Sequence, residues 1–458
     1  MKNLTVAALL ALTLTLTATT TATASSSGNF ANTKTGTPAC SNTCTAANTK
    51  TDPFFINDND HVVFLGDSIT QQKLYTTYIE AYALTRFPEY KLTFRNSGWG
   101  GDTAWLRKRW KTDEKKLFSA TGDLLNQMVI EAVNKGLERD VLPLKPTAVT
   151  INFGMNDHSY QAFRPDIYRA YKRSQEELVR TLIKNGARVA LLTPQPIEDM
   201  KKAPSKDERN ISLRKFSEGL KEIAAAENAT FVDQFSPYME VISKRTEGQT
   251  KTIGEGNAVH PGPCGHTVMA WAILKDLHAP ALVSSAVFDV DRWFDFRKLV
   301  SANNCIISNT SYSGGILTFD RLDKALPMPI DKRALNALKL AKVTCDLNRY
   351  PICVKGLADG EYQVLIDDKD IVKVSSEDGK LCTNLAKVTT PSSEQADKIL
   401  ALVFKKNTIY FSRWRNVQLK DGTAAKLAEL DKQIAKLENQ INELRKPAVH
   451  HFVIKPLK

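Results

Sequence analysis

The chain has 458 residues, 42% of them hydrophobic and 24% charged, which is enough apolar material for more than one core at usual domain sizes. Its formal net charge is +12, but Lys and Arg are scattered among Asp and Glu, with no basic arm and no nucleic-acid motif. Nucleic acid is therefore not an expected partner, and we expect roughly two or three folded units.

The first 24 residues have the layout of a secretory signal peptide. Lys2 precedes an uncharged run of Leu, Ala, Val and Thr, and the small residues Ala22-Thr23-Ala24 stand before Ser25. A membrane anchor is the alternative, but the run is short, and no later stretch approaches the roughly 20 apolar residues of a membrane span. Residues 25–52 are polar and small and predict a linker. We expect an exported protein, secreted or periplasmic, without stable membrane insertion.

From residue 53 to about 285, short apolar runs alternate with longer amphipathic ones, which predicts βαβ units and a parallel sheet covered on both faces. The fold class is thus α/β. Strands are predicted at 61–65, 91–96, 147–153, 188–194 and 230–235, and helices at 69–87, 124–136, 166–185, 206–227 and 264–277.

The pattern changes after residue 285. Residues 286–390 are rich in β-formers with Gly and Asp turns and predict a small β-rich accessory region. Residues 391–458 predict a helical hairpin and a C-terminal tail, with Ser392 and Gln395 at capping-box spacing. The second helix has apolar residues at alternating steps of three and four, short of the three to four heptads typical of a coiled coil. Packing within the hairpin is favoured, and self-association through this helix is the alternative.

Seven cysteines are present, and some should pair in an oxidising compartment. Cys345 and Cys353 flank a turn-like segment and are the favoured pair. A metal site is not indicated, because neither Cys40 and Cys44 nor the other cysteines have a second ligand pair at zinc spacing. No cofactor is expected.

Four short motifs stand where the predicted strands end or the last helix begins. They are "GDS" at 66–68, "NSGWGGD" at 96–102, "GMND" at 154–157 and "NAVHP" at 257–261. Ligand sites of open parallel sheets lie beyond the carboxyl ends of the strands. The four motifs are therefore predicted to meet at one site.

These motifs resemble the four sequence blocks of the SGNH hydrolases, also called GDSL esterases and lipases, over residues 60–280 or so. The resemblance implies a flavodoxin-like three-layer α/β/α sandwich. It also implies Ser68 as the nucleophile, His260 as the base, and Ser68, Gly101 and Asn156 as oxyanion-hole donors. A serine hydroxyl attacks an ester only when a neighbouring imidazole takes its proton, so Ser68 needs His260 within hydrogen-bond reach.

Simpler roles exist for several of these residues. Gly101 and Gly154 could serve tight turns, Asn156 an Asx turn and Ser68 a helix N-cap. Asp67, Asp102 and Asp157 are interpreted as local hydrogen-bond partners, and direct roles for His158 and His266 are not favoured. Trp99, Trp105 and Trp110 are candidates for a sugar-stacking wall, although core or rim positions are commoner for Trp.

Asn257 is the departure from the family pattern, which has Asp three residues before the His. Asn can accept the imidazole N–H but brings no charge. In a serine triad enzyme, replacing this Asp by Asn lowers kcat about 10,000-fold. Three alternatives remain for His260: Asn257 or a backbone carbonyl orients it, the nearby carboxylate of Glu255 substitutes, or catalysis is weak.

The first hypothesis is an exported serine esterase that removes acyl groups, with O-acetyl groups on carbohydrate as the expected substrate. A second is a carbohydrate-binding or scaffolding protein that has kept the fold and lost efficient catalysis. A third is a lipase or an esterase of other small esters. The family resemblance covers only the catalytic half of the chain, so it does not choose among substrates.

Overall fold

The computed structural model describes residues 53–245, 249–291, 293 and 296–457. The predicted signal peptide and linker lie outside these residues. A five-stranded parallel sheet forms the centre of the first region, with strands β1 His61–Gly66, β2 Thr93–Gly98, β3 Ala148–Asn152, β4 Arg188–Leu192 and β5 Thr230–Val232. Their order is β2-β1-β3-β4-β5, which is the order of flavodoxin-like folds.

Helices cover both faces of this sheet because side chains alternate along each buried strand. Val62 and Phe64 point into one core, and Val63 and Leu65 point into the other. The predicted three-layer sandwich is therefore confirmed. The helices are α1 Ser68–Gln71, α2 Tyr75–Arg86, α3 Glu114–Ser119, α4 Gly122–Asp140, α5 Pro165–Lys184, α6 Glu208–Ala226, α7 Phe235–Ser243 and α8 Pro263–Asp276.

Most predicted boundaries shift by a few residues, helix α3 was not predicted, and two further differences divide a predicted element. The single helix predicted over 69–87 is split into α1 and α2, with Lys73 in the left-handed region at φ 60° between them. The strand predicted over 230–235 ends at Val232, and helix α7 begins at Phe235. In both places a short polar step interrupts a run of apolar residues that periodicity alone joins together.

The β-rich region contains two sheets, in the orders β13-β10-β6-β7 and β12-β11-β14-β9-β8. Two short helices, α9 Ala337–Leu340 and α10 Val343–Leu347, lie between its strands in the chain. The strands are β6 Ser285–Asp291, β7 Phe296–Asn303, β8 Cys305–Ser313, β9 Ile316–Asp323, β10 Pro351–Lys355, β11 Gly360–Ile366, β12 Lys369–Ser376, β13 Lys380–Asn384 and β14 Val449–Pro456. The tail after the hairpin is thus a strand, and it pairs with both β9 and β11.

Helices α11 Pro391–Phe411 and α12 Ala424–Leu444 form the hairpin, joined through a π-helical turn at Ser412–Val417. The apolar seam of α12 is buried within the chain at Leu430, Ile434, Leu437 and Ile441. The capping box of α11 uses Thr390 and Ser393, not Ser392 and Gln395. Self-association through α12 stays a prediction.

Helix α11 is joined to the first region by a buried ion pair. Lys406 of α11 donates to Glu80 of α2, and both side chains are almost completely buried. Asn407 adds hydrogen bonds of 2.9 Å to the Glu80 carboxylate and 3.0 Å to Thr77. Because a buried charge pair needs all its partners in place, this contact fixes the hairpin against the first region.

The predicted disulfide between Cys345 and Cys353 is wrong. Cys353 is bonded to Cys382, with their Cα atoms 4.2 Å apart, because the two residues are directly opposite each other in the antiparallel pair of β10 and β13. Such a pairing depends on strand register and cannot be read from local spacing.

None of the described helices is long and apolar enough to cross a membrane.

Candidate active site

Ser68 and His260 are hydrogen-bonded to each other, with 2.8 Å between the serine Oγ and the imidazole Nε2. Ser68 is the first residue of α1, directly after β1. His260 belongs to the loop before α8. The contact joins residues 192 positions apart, and both side chains remain partly exposed.

The turn that presents Ser68 depends on its two preceding residues. A Cβ on Gly66 would lie 2.2 Å from Thr70 Oγ1 and 2.7 Å from the Asn152 carbonyl oxygen, so only glycine fits there. Asp67 caps α1 by accepting the N–H of Ile69 at 2.9 Å. The strand therefore turns at once into the helix and leaves Ser68 at its N-terminus.

Three hydrogen-bond donors near Ser68 are available to a ligand. The backbone N–H groups of Ser68 and Gly101 donate to no acceptor within the described part of the chain. Gly101 has φ 76°, a conformation that favours glycine. The Asn156 side-chain amide donates one hydrogen to the Asp102 carbonyl at 2.9 Å, and its oxygen accepts from the Tyr160 hydroxyl at 3.0 Å. One amide hydrogen of Asn156 therefore remains.

Buried aspartates connect the motifs. Asp157 accepts the N–H of Ala104 at 2.7 Å and that of Gly154 at 2.9 Å, which ties the third motif to the second. Asp102 accepts from Lys108 N at 3.0 Å and from Arg109 Nε at 2.8 Å. These contacts agree with the interpretation of the aspartates as local hydrogen-bond partners.

Burial sets the ionisation of this group. It raises the pKa of Asp67 to about 8, against the hydrogen bond from Ile69 that lowers it, and Asp157 and Asp102 add repulsion. Burial likewise raises the pKa of Asp157 to about 7, although two backbone N–H groups favour its charged form. Negative charge on these carboxyl groups is thus disfavoured close to Ser68.

Asn257 does not touch the imidazole of His260. Its side-chain oxygen accepts the backbone N–H groups of Val259 at 2.9 Å and His260 at 2.8 Å. The Glu255 carboxylate instead accepts from Asn336 at 2.6 Å. No acceptor among the described residues receives a hydrogen bond from Nδ1 of His260. The geometry is a Ser-His pair in which Asn257 shapes the loop.

Glutamines that the sequence did not single out support the His260 loop. Gln72 donates to the Pro261 carbonyl at 3.2 Å and accepts from Nε2 of His266 at 3.2 Å. Gln195 donates to the Val259 carbonyl at 3.1 Å. No motif marks these glutamines, because their partners are distant in the chain.

The two other histidines near the site are buried. Nδ1 of His266 accepts from the Tyr75 N–H at 3.3 Å, so its hydrogen bonds are used inside the protein. Burial lowers the pKa of His266 to about 3 and that of His158 to about 4. Both are neutral structural residues at physiological pH.

The predicted tryptophan wall is wrong as a group. Trp105 is in the core at 1% exposure, with its indole N–H bonded to Glu114 at 3.0 Å. Trp110 is exposed. Trp99 is half-buried, and its ring contacts Trp414 edge-on and the Arg415 guanidinium at 3.6 Å. One tryptophan of the three therefore lies at the contact with the C-terminal hairpin.

The fold and these groups define a flavodoxin-like α/β protein with a serine beside an imidazole. Residues 64–268 match the GDSL-like lipase/acylhydrolase family. The chain thus carries a domain of this family and is a hydrolase that acts on ester bonds.

Solved structures extend the comparison. BT4096, described as a gut microbial diltiazem-metabolizing enzyme, is 23% identical, with 88% of this chain and 98% of that chain covered and a TM-score of 0.72. The acetylxylan esterase Axe2 from Geobacillus stearothermophilus is 22% identical over 48% of this chain and 95% of its own, with a TM-score of 0.38. No curated protein matches the chain. The coverage by BT4096 shows that the fold similarity continues past the family domain.

Asn257→Asp is expected to change kcat/KM by less than about threefold, because a carboxylate accepts the same two backbone N–H groups. Asn257→Ala should lower kcat/KM by up to about 30-fold, since two hydrogen bonds of about 1 kcal/mol each hold the loop. The measurement is ester hydrolysis against pH for both variants. A rise of about one unit in the apparent pKa for Asn257→Asp would contradict this geometry, because it would place the new charge on the imidazole.

Proposed function

We propose that the protein is an exported serine esterase that removes O-acetyl groups from carbohydrate, with Ser68 as nucleophile and His260 as base. The observation that carries the proposal is the 2.8 Å contact between Ser68 Oγ and His260 Nε2. Burial lowers the pKa of His260. Its imidazole is therefore neutral at physiological pH and able to accept the serine proton.

The proposed reaction has two halves. Ser68 Oγ attacks the ester carbonyl carbon while its proton moves to His260 Nε2, and the alcohol leaves after receiving that proton. Water, activated in turn by His260, then releases the carboxylic acid from Ser68. The N–H groups of Ser68 and Gly101 and the Asn156 amide would hold the oxyanion in both halves. Each such donor typically contributes about 100- to 1,000-fold in rate.

The surroundings of Ser68 support a polar substrate. The Lys108 side chain lies beside Gly101, Arg415 donates to Gln71 at 3.4 Å, and the Tyr160 hydroxyl donates to Asn156 at 3.0 Å. A cleft of about 640 Å³ lies beside the loop that carries His260, and mainly polar residues such as Thr252 and Asn257 line it, whereas Ser68 and His260 do not. Hydroxyl-rich alcohols suit such a lining better than lipid does. Export is supported by the sequence of the first 24 residues.

The test compares three substrates with the purified protein: p-nitrophenyl acetate, acetylated xylan and p-nitrophenyl palmitate. We expect hydrolysis of both acetyl esters, weak hydrolysis of the palmitate, and labelling of Ser68 by a fluorophosphonate. Faster hydrolysis of the palmitate would favour a lipase instead. If acetate is released only from p-nitrophenyl acetate, then acetylated xylan is excluded as the carbohydrate and the esterase part of the proposal stands.

A second candidate is a carbohydrate-binding protein with weakened catalysis, favoured because no carboxylate of residues 53–245, 249–291, 293 or 296–457 bonds to Nδ1 of His260. In a serine triad that carboxylate stabilises the imidazolium that forms during attack. Glycan binding without fluorophosphonate labelling would support this candidate. Labelling with rapid turnover would exclude it.

A further inference from the structure

The C-terminal hairpin reaches the candidate active site through Arg415. Gln71 is the last residue of α1, one helical turn after Ser68, and its side-chain oxygen accepts from Gly100 N at 2.7 Å. The same oxygen accepts from Arg415 Nη1 at 3.4 Å. Arg415 belongs to the π-helical turn and lies outside the family domain of residues 64–268. The C-terminal hairpin therefore adds a guanidinium close to the proposed nucleophile.

Two lysines approach the same place from the catalytic region. Lys73 donates to the Gln71 carbonyl at 3.2 Å and lies 4.3 Å from the centre of the Phe411 ring. The ammonium of Lys108 lies 3.8 Å from where a Cβ on Gly101 would be, beside the free N–H of Gly101. No carboxylate lies within ion-pair distance of either lysine in the part of the chain that the structure describes. Burial alone lowers the pKa of Lys73.

Arg415 lies near a cluster of charged residues, but none of the described carboxylates forms a salt bridge with it. Arg109 pairs with Asp102 at 2.8 Å and with Asp140 at 3.2 Å, and Arg139 pairs with Asp140 at 2.8 Å. Three guanidinium groups, including Arg415, thus share two carboxylates. At least one positive charge stays uncompensated on this side of the site.

A role in fixing the hairpin explains only part of this arrangement. The stacking of Arg415 on Trp99 at 3.6 Å does join the hairpin to the second motif. It does not explain why Lys73 and Lys108 stand unpaired beside Gln71 and Gly101, because like charges repel when no anion lies between them. An anion supplied by a ligand resolves that repulsion.

We propose that Arg415, Lys73 and Lys108 form a subsite for an anionic group on the alcohol part of the substrate. The substrate class is then an acyl ester of an acidic alcohol, of which an acetylated uronate is an example. This inference rests on the proposed function, since it assigns the part of the ester that Ser68 does not attack. A guanidinium with two ammonium groups suits carboxylate or sulfate oxygens.

The kinetic test uses 4-acetoxybenzoate and 4-acetoxybenzamide, which carry the same acyl group and differ in charge. After division by the rates with hydroxide alone, kcat/KM should favour the benzoate about tenfold at low salt, and the preference should shrink at high salt. Arg415→Gln should reduce the benzoate-to-benzamide ratio about 3- to 5-fold. Lys73→Gln and Lys108→Gln should reduce it less.

The matched control is Lys420→Gln, which removes an exposed charge five residues after Arg415 and should leave the ratio unchanged. Circular dichroism verifies that each variant is folded. A ratio near one, or a ratio that none of the three subsite variants lowers, overturns the inference. A structural role for Arg415 would reduce hydrolysis of both esters equally and would also overturn it.

If neither ester is cleaved, the proposed function fails and binding decides the inference separately. Calorimetric titration of benzoate and benzamide into the Ser68→Ala protein then serves as the readout. Benzoate binding that weakens with salt and is lost in Arg415→Gln supports the anionic subsite. Equal binding of both probes, or none, refutes it.

Discussion

Ser68→Ala is expected to lower kcat for p-nitrophenyl acetate by roughly 10³- to 10⁶-fold, and His260→Ala by a similar factor. The physical reason is that the hydroxyl and the imidazole act together through their 2.8 Å contact. Neither group attacks an ester efficiently without the other. The double variant should therefore be no slower than either single one, and steady-state rates of the three variants provide the measurement.

The control for this experiment is Ser119→Ala, because Ser119 is an exposed serine of α3 and its loss should leave kcat unchanged. If the double variant were slower than either single variant by the product of their two effects, the two residues would not act in one shared mechanism. A rate for Ser68→Ala equal to that of the natural protein would remove Ser68 from the reaction altogether.

Lys406→Ala is expected to lower the free energy of unfolding by about 3–5 kcal/mol, because it leaves Glu80 as an unpaired buried charge between α2 and α11. Denaturant unfolding at neutral pH measures the loss. Burial raises the pKa of Glu80 and Lys406 lowers it. Without Lys406 this pKa rises further above its unfolded value, so the charged carboxylate is the form that is penalised. The loss should therefore be larger at pH 7 than near pH 4, where Glu80 is protonated.

Lys405→Ala is the matched control, since Lys405 precedes Lys406 on the same helix and is exposed. It should change stability by no more than about 0.5 kcal/mol. The double variant Glu80→Gln with Lys406→Met should recover most of the loss, because no buried charge then remains. A Lys406→Ala protein as stable as the natural one would show that the pair contributes nothing to holding the hairpin.

The sequence was sufficient for the architecture of residues 53–285 because parallel strands and amphipathic helices have strong periodic signals. The meeting of Ser68 and His260 followed from motif order at the ends of strands. The hydrogen bonds around His260 could not be predicted from the sequence. Asn257 bonds to the backbone of its own loop and Glu255 bonds to Asn336, and side-chain direction in a loop is not encoded in spacing.

Contacts between distant parts of the chain were also beyond the sequence. The bond between Cys353 and Cys382 depends on the register of two strands. The approach of Arg415 to Gln71 depends on how the hairpin packs against α1 and α2. Both are tertiary contacts that depend on many small packing interactions, and no single sequence motif predicts them.

Strand β14 has a consequence for how the protein can be made. Residues 449–456 occupy the middle of the five-stranded sheet, between β9 and β11. While the ribosome is still adding the helical hairpin, the β8–β9 and β11–β12 ribbons each have an open edge. Exposed edges pair readily with other chains. The nascent protein therefore exposes unpaired strand edges until residue 456 has been translated. A chaperone would be needed most during this interval.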